Sequence, residues 1–219
     1  MKVSIIECES YNPRLVERAV RDSLDKINFK FKKNLKVLIK PNLLSSYDPE
    51  KAITTHPTIV EAVCKILNEN NCKITIAEST GFFTQEKHLL FSKTGMESVA
   101  KKYGADLVLL EKLPSKEYGG QYQKSKIQLP DLSEYDLIVN IPKLKTHGLT
   151  LYTGAIKNLY GFVPGGLKQK YHVDGRFAPR FNLILLDIYN IIKPQLNIMD
   201  GVIGLEGDGP GTAGIPKKT

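Results

Sequence analysis

A chain of 219 residues in which 42% of side chains are hydrophobic and 25% charged has interior enough for a full core, which excludes a disulfide- or metal-stapled miniprotein and a disordered chain. Its net charge of +8 comes from 31 Lys and Arg against 23 Asp and Glu, but only Arg14, Arg18, Arg21, Arg176 and Arg180 are arginines and no arginine–aromatic array is present, which argues against nucleic acid as a partner. No apolar run approaches the ~20 residues of a membrane span, and the opening MKVSIIECES lacks a basic stretch followed by an apolar one, so the expectation is a cytoplasmic protein with no membrane partner.

Lys2 to Glu7 reads as a short apolar strand. Asn12-Pro13 then supplies a cap and a first-turn proline for a helix carrying Leu15, Val16, Ala19, Val20, Leu24 and Ile27 at helical spacing. Lys36 to Asn42 has the pattern of a buried strand. Pro57 opens a second helix with Ile59, Val60, Val63, Ile66 and Leu67 on one face, and Lys73 to Ser79 is the next strand. Gly95 to Gly104 reads as a helix closed by glycine, and Ala105 to Glu111 as a strand. Residues 112–136, with Gly119-Gly120, look like an inserted hairpin or irregular excursion. Leu137 to Lys143 is a strand, Leu151 to Leu159 and Phe181 to Ile192 are helices, and Leu196 to Gly201 is a strand. Strands separated by helical segments call for βαβ crossovers. The expected fold is α/β: one domain over residues 1–219, a mostly parallel open sheet with helices on both faces, and a small inserted hairpin at 112–136.

In such sheets ligands bind beyond the carboxyl ends of the strands, where helix N-termini and loops converge. The strand ends here carry Lys40 and Asn42, Glu78 and Ser79, Asn140 and Lys143, and Asp200. Each alone has a bland explanation, since strand ends lie near solvent; together they predict one polar rim. Thr54-Thr55-His56-Pro57 places two hydroxyls and a histidine at a helix N-terminus, a place that attracts phosphate or carboxylate, although Thr55 or His56 also suits a plain helix cap.

From Leu137 through Val173 there is no Asp or Glu, yet the stretch holds Lys143, Lys145, His147, Lys157, Lys168, Lys170 and His172. Lysines so concentrated call for an external anion or for carboxylates brought from elsewhere in the chain. In helical geometry Thr150, Thr153, Gly154, Lys157, Asn158 and Gly161 would share a small polar face suited to a ligand. No GxxxxGK[ST] occurs, so nucleotide hydrolysis has no support. The tail holds Asp200, Glu206 and Asp208 among glycines, a weak candidate set for a hard cation. His88 lies among surface-like residues, and His172 reads as a turn or rim residue. Cys8, Cys64 and Cys72 form no CxxC, so neither a disulfide framework nor a cysteine-ligated metal or iron–sulfur site is expected in this chain.

KPNLL (Lys40 to Leu44), TTHP (Thr54 to Pro57), IAES (Ile76 to Ser79), IPKLKTHGLTLYTGAIKNLYG (Ile141 to Gly161) and MDGVIGLEGDGPGTAG (Met199 to Gly214) resemble, in this order, the domain-of-unknown-function family 362 (DUF362). The resemblance runs from residue 36 to the C-terminus. It implies an α/β fold with a pocket and a place in redox or cofactor-related chemistry, but no particular reaction. Members are described as iron–sulfur-centre proteins because many carry 4Fe-4S clusters in a fused ferredoxin-like domain with CxxCxxCxxxC runs; this chain has no such run. Relative to the family it reads as C-terminally truncated, ending inside the glycine-rich tail.

The leading expectation is a protein that binds an anionic small molecule through Lys40, Asn42, Thr54, Thr55, His56, Lys145, Thr153, Lys157 and Asn158. Two others stand beside it. One is a non-enzymatic partner or electron-transfer module whose lysines match the acidic surface of an iron–sulfur protein. The other is an acid–base enzyme in which Lys143, His147 and Glu78 act on a carbonyl or carboxylate substrate. A buried lysine of low pKa favours an enzyme; uniformly solvated lysines favour a partner module.

Overall fold

The computed structural model of the chain describes residues 2–79, 87–123, 126–174 and 178–219. Asn12 caps α1 (Pro13–Ile27) through its side-chain oxygen, which accepts from the backbone of Arg14 and Leu15, and the helix ends where Asn28 turns left-handed. There follow β1 (Lys36–Pro41), α2 (Pro57–Glu69), β2 (Lys73–Glu78), α3 (Leu90–Lys93), α4 (Met96–Tyr103) and β3 (Asp106–Leu109). The hairpin expected at 112–136 is β4 (Ser115–Gly119) with β5 (Lys126–Pro130). Then come β6 (Leu137–Ile141), β7 (Lys143–His147), β8 (Leu151–Thr153), α5 (Ala155–Asn158), α6 (Gly165–Asp174), α7 (Ala178–Ile192), β9 (Leu196–Asn197), β10 (Asp200–Gly207) and β11 (Gly214–Lys218).

The central sheet has the order β3-β2-β1-β6-β9 with every neighbouring pair parallel, so the mostly parallel α/β expectation holds. Its strands are covered on both sides. Val37, Ile39, Ile74, Ile76, Leu137 and Val139 pack with α1, α2 and α4, while Leu38, Ala77 and Ile138 face the opposite way toward α7 and the β4–β5 hairpin. Period-two alternation with both faces apolar is what a central parallel strand requires.

A second sheet, ordered β11-β10-β7-β8, pairs β10 with β7 in parallel and its other neighbours antiparallel. The chain crosses into it twice from the central sheet, from β6 through Pro142 into β7 and from β9 into β10. Each crossing leaves from the carboxyl end of a parallel strand. The two sheets therefore meet where the polar rim was expected.

Three expectations are corrected. Residues Lys2 to Glu7 form no strand: Val3 and Ile5 are exposed, and the segment lies against α1, where Ser4 Oγ donates to Ser23 O at 3.0 Å. Apolar alternation makes a strand only where a sheet edge offers partners. Leu151 to Leu159 is not one helix either. Leu151 sits at φ 62°, Leu151–Thr153 folds back antiparallel onto β7, and helix begins only at Ala155. Thr150, Tyr152 and Thr153 are β-branched or aromatic, and pairing with Lys145–His147 outweighs the helical spacing. Lastly, Leu196 to Gly201 is divided between β9 and β10.

Candidate functional site

Lys40 and Glu78 close adjacent parallel strands, and both are buried. Lys40 Nζ lies 2.9 Å from both carboxylate oxygens and also donates to Pro41 O at 3.0 Å. Glu78 in turn accepts from the backbone of Leu43 at 3.1 Å and Ser79 at 2.9 Å. Gly161 packs on this pair; a Cβ there would stand 2.5 Å from Lys40 Nζ and 2.8 Å from Glu78 Oε1, so any larger residue would displace the ion pair from this geometry. Burial pushes the Lys40 amine below its ordinary pKa, opposed by the Glu78 charge.

Lys143 and Asp200 make the second buried pair. Lys143 Nζ is 2.9 Å from Asp200 Oδ2 and donates to Tyr11 Oη at 2.7 Å, and that hydroxyl donates to Asp200 Oδ1 at 2.8 Å. Asp200 Oδ2 also accepts from His56 N at 2.8 Å, which ties this carboxylate to the start of α2. His56 is the cap of that helix: its Nδ1 accepts from Thr58 N at 3.3 Å, and its ring stacks on Tyr11 with centroids 3.7 Å apart. Burial depresses its pKa, so the imidazole is neutral at neutral pH despite the nearby Asp200 and Glu50 charges.

Amides and a hydroxyl lock the two pairs together. Thr55 Oγ1 donates to Ile141 O at 2.7 Å and accepts from Asn42 N at 2.9 Å. Asn158 Nδ2 donates to Asn140 Oδ1 at 2.8 Å, and Asn158 Oδ1 accepts from Asn42 Nδ2 at 3.0 Å. Lys40, Asn42, Thr55, His56, Glu78, Lys143 and Asn158 are thus brought to one edge, where they hold the fold.

Lys145 and Lys157 are placed differently. Lys145 is 2% exposed, and its Nζ has one hydrogen-bond acceptor among the described residues, Ile53 O at 2.7 Å. Lys157 is half-buried, its ammonium 4.9 Å from the Tyr160 ring centroid and 5.4 Å from that of Phe181, with no carboxylate partner among the described residues. Across the β7–β8 ladder Lys145 stands directly opposite Thr153, so the two share a sheet face. Thr153 Oγ1, Thr54 Oγ1 beside Ile53, and Asn42 Oδ1 are buried atoms with no hydrogen-bond partner among the described residues. Lys168, half-buried, donates to Ser79 Oγ.

These amines titrate low. Lys145 is pushed down to about 7, first by burial and then by the charges of Lys157 and Lys143. Lys157 falls to about 8, through burial and then Lys168 and Lys40. Lys168 also falls to about 8, chiefly through burial.

The chain matches the family described as Domain of unknown function (DUF362) over residues 37–219. It belongs to the DUF362 family. Thylakoid-associated protein sll1697 from Synechocystis sp. is 32% identical to it over 222 residues, a match covering 95% of this chain and 65% of that relative; the chain thus spans just under two thirds of the relative's length. Every lysine of the site lies inside the DUF362 match, whereas Tyr11 precedes it. Among the described residues no helix is long and apolar enough to cross a membrane.

Other sequence candidates of this DUF362 chain are not brought together. Lys143 and Glu78 answer to different partners, Asp200 and Lys40, and His147 Nδ1 accepts from Leu149 N at 3.1 Å as a turn cap. Asp200 and Glu206 stand six residues apart on β10, the first held by Lys143 and the second exposed and paired with Lys217; Asp208 is exposed beyond them. Among the described residues no group of three His, Cys, Asp or Glu gathers as metal ligands. Cys64 is buried in α2, and burial pushes its thiol up to about 12; Cys8 and Cys72 are half-buried elsewhere. His88 is exposed, and the His172 side chain lies outside the described residues. Sequence reasoning missed Tyr11, Phe181 and the Ile53 carbonyl. Nothing in the local pattern marks them, because each acts through a contact made far along the chain.

Proposed function

We propose that this protein binds a small anion, a carboxylate or phosphate carried by a metabolite, at the carboxyl edge of its parallel sheet. The observation that carries this reading is an imbalance of buried charge. Lys40 and Lys143 each have a carboxylate, whereas Lys145 and Lys157 have none among the described residues. A buried cation such as Lys145, or a half-buried one such as Lys157, that lacks a counterion either loses a proton or binds an anion, and the Thr54 and Thr153 hydroxyls, unpartnered among the described residues, are donors such an anion would use. Burial also favours a small ligand over a protein surface, since Lys145 at 2% exposure cannot meet the acidic face of an iron–sulfur partner. A place in redox or cofactor chemistry rests on the family resemblance alone.

Calorimetric titration with phosphate, sulfate and a dicarboxylate at low salt tests this. Lys145→Met and Lys157→Met should each weaken binding at least ~10-fold, because a charge-assisted contact is worth roughly 1.5 to 3 kcal/mol. Variants that remain folded and bind as the parent does would remove the site.

A further inference from the structure

The amine of Lys145 has surroundings unlike those of its neighbours. An ammonium carries three N–H groups and wants three acceptors. Lys40 and Lys143 find carboxylates, and Lys157 faces two aromatic rings, which attract a cation. Among the described residues Lys145 finds one backbone carbonyl, Ile53 O, and no negative charge in contact. A neutral amine suits that setting: one N–H serves the carbonyl and the nitrogen lone pair stays available. The charges of Lys157, Lys143 and Lys40 act in the same direction, opposed by that of Glu78, and an amine near pKa 7 is about half neutral at physiological pH. A desolvated lysine beside other cations is a setting in which lysine becomes a nucleophile toward carbonyl carbon.

We propose that Lys145 Nζ forms an imine with a small carbonyl compound bearing a carboxylate or phosphate, the anionic group being held by Lys157 with the Thr54 and Thr153 hydroxyls. This rests on the anion-binding reading. The Nζ lone pair makes the C–N bond while the carbonyl pair moves to oxygen, and one proton passes from nitrogen to that oxygen. The carbinolamine hydroxyl then takes a proton from the Lys157 ammonium, whose charge acts on Lys145 more strongly than any other. It leaves as water, and the nitrogen lone pair closes the iminium. Lys157 takes a proton back from solution and so keeps its charge on the anionic group, nothing is oxidised or reduced, and Thr153, directly opposite Lys145, offers a hydroxyl for the proton shift.

Borohydride trapping on the unaltered chain tests the step without requiring a variant to fold. The protein is incubated with glyoxylate or pyruvate, reduced, digested and mapped by mass spectrometry, and phosphate binding is measured calorimetrically on the same preparation. The expected result is a mass increase at Lys145 equal to the oxo acid less one oxygen atom. Its yield should be at least ~10-fold above that of any exposed lysine, fall as pH drops below about 7, and be suppressed by phosphate. Lys145→Gln should lose the adduct. Glyoxylate that displaces phosphate yet labels only exposed lysines would overturn the imine and leave the anion site standing. A chain that binds neither phosphate nor glyoxylate would overturn both.

Discussion

Buried lysines at strand ends serve two purposes in this molecule, and the partner of each amine separates them. Lys40 is held by Glu78 and by a backbone carbonyl, with Gly161 packed against both, so its charge belongs to the fold. Lys40→Met should destabilise the protein by about 3–5 kcal/mol in urea unfolding, because it strands a buried carboxylate, and adding Glu78→Leu should recover most of that loss. A single variant as stable as the parent would mean the pair is not buried as described. Lys40, Glu78, Lys143 and Asp200 were legible as strand-end residues because parallel sheets gather polar groups at their carboxyl edge. Which amine meets which carboxylate was not, since Lys143 and Asp200 lie 57 residues apart and nothing local encodes the contact. Of the lysines in the carboxylate-free stretch from Leu137 to Val173, Lys143 is neutralised from outside the stretch, by Asp200.

Among the elements, the parallel sheet, α1 with its Asn12 cap, α2 with its proline start and α4 with its closing glycine follow from local sequence signals. The segment from Leu151 does not, because its apolar spacing fits a helix while its neighbour β7 offers a ladder. Only the folded context decides between them, and it places Thr153 opposite Lys145. Substitution at Leu151 distinguishes the two. With φ at 62° and 83% exposure, Leu151→Gly should leave stability unchanged or raise it by up to ~1 kcal/mol, whereas glycine inside a helix would cost roughly that much relative to alanine. Thermal denaturation of the variant reads the sign directly. The strand expected at Lys2 to Glu7 fails for the complementary reason: its pattern is right, but no ladder partners it, Val3 and Ile5 stay exposed, and Ser4 bonds to α1 at Ser23.

For the whole molecule, two sheets meet at Pro142 and at the β9–β10 junction, and that meeting point concentrates cations. Lys145 near 7 and Lys157 and Lys168 near 8 are partly deprotonated in the ligand-free protein at pH 8. A bound anion stabilises the ammonium forms, raises these pKa values and so draws protons from solution, which makes affinity fall as pH rises from about 7 through 8. The most direct measurement is therefore proton uptake on phosphate binding, obtained by titrating at pH 8 in buffers of different ionisation enthalpy. The account predicts an uptake of about one proton or more per anion bound, reduced in Lys145→Met to what Lys157 and Lys168 still take up. Binding with no proton uptake, or no binding at all, would contradict it.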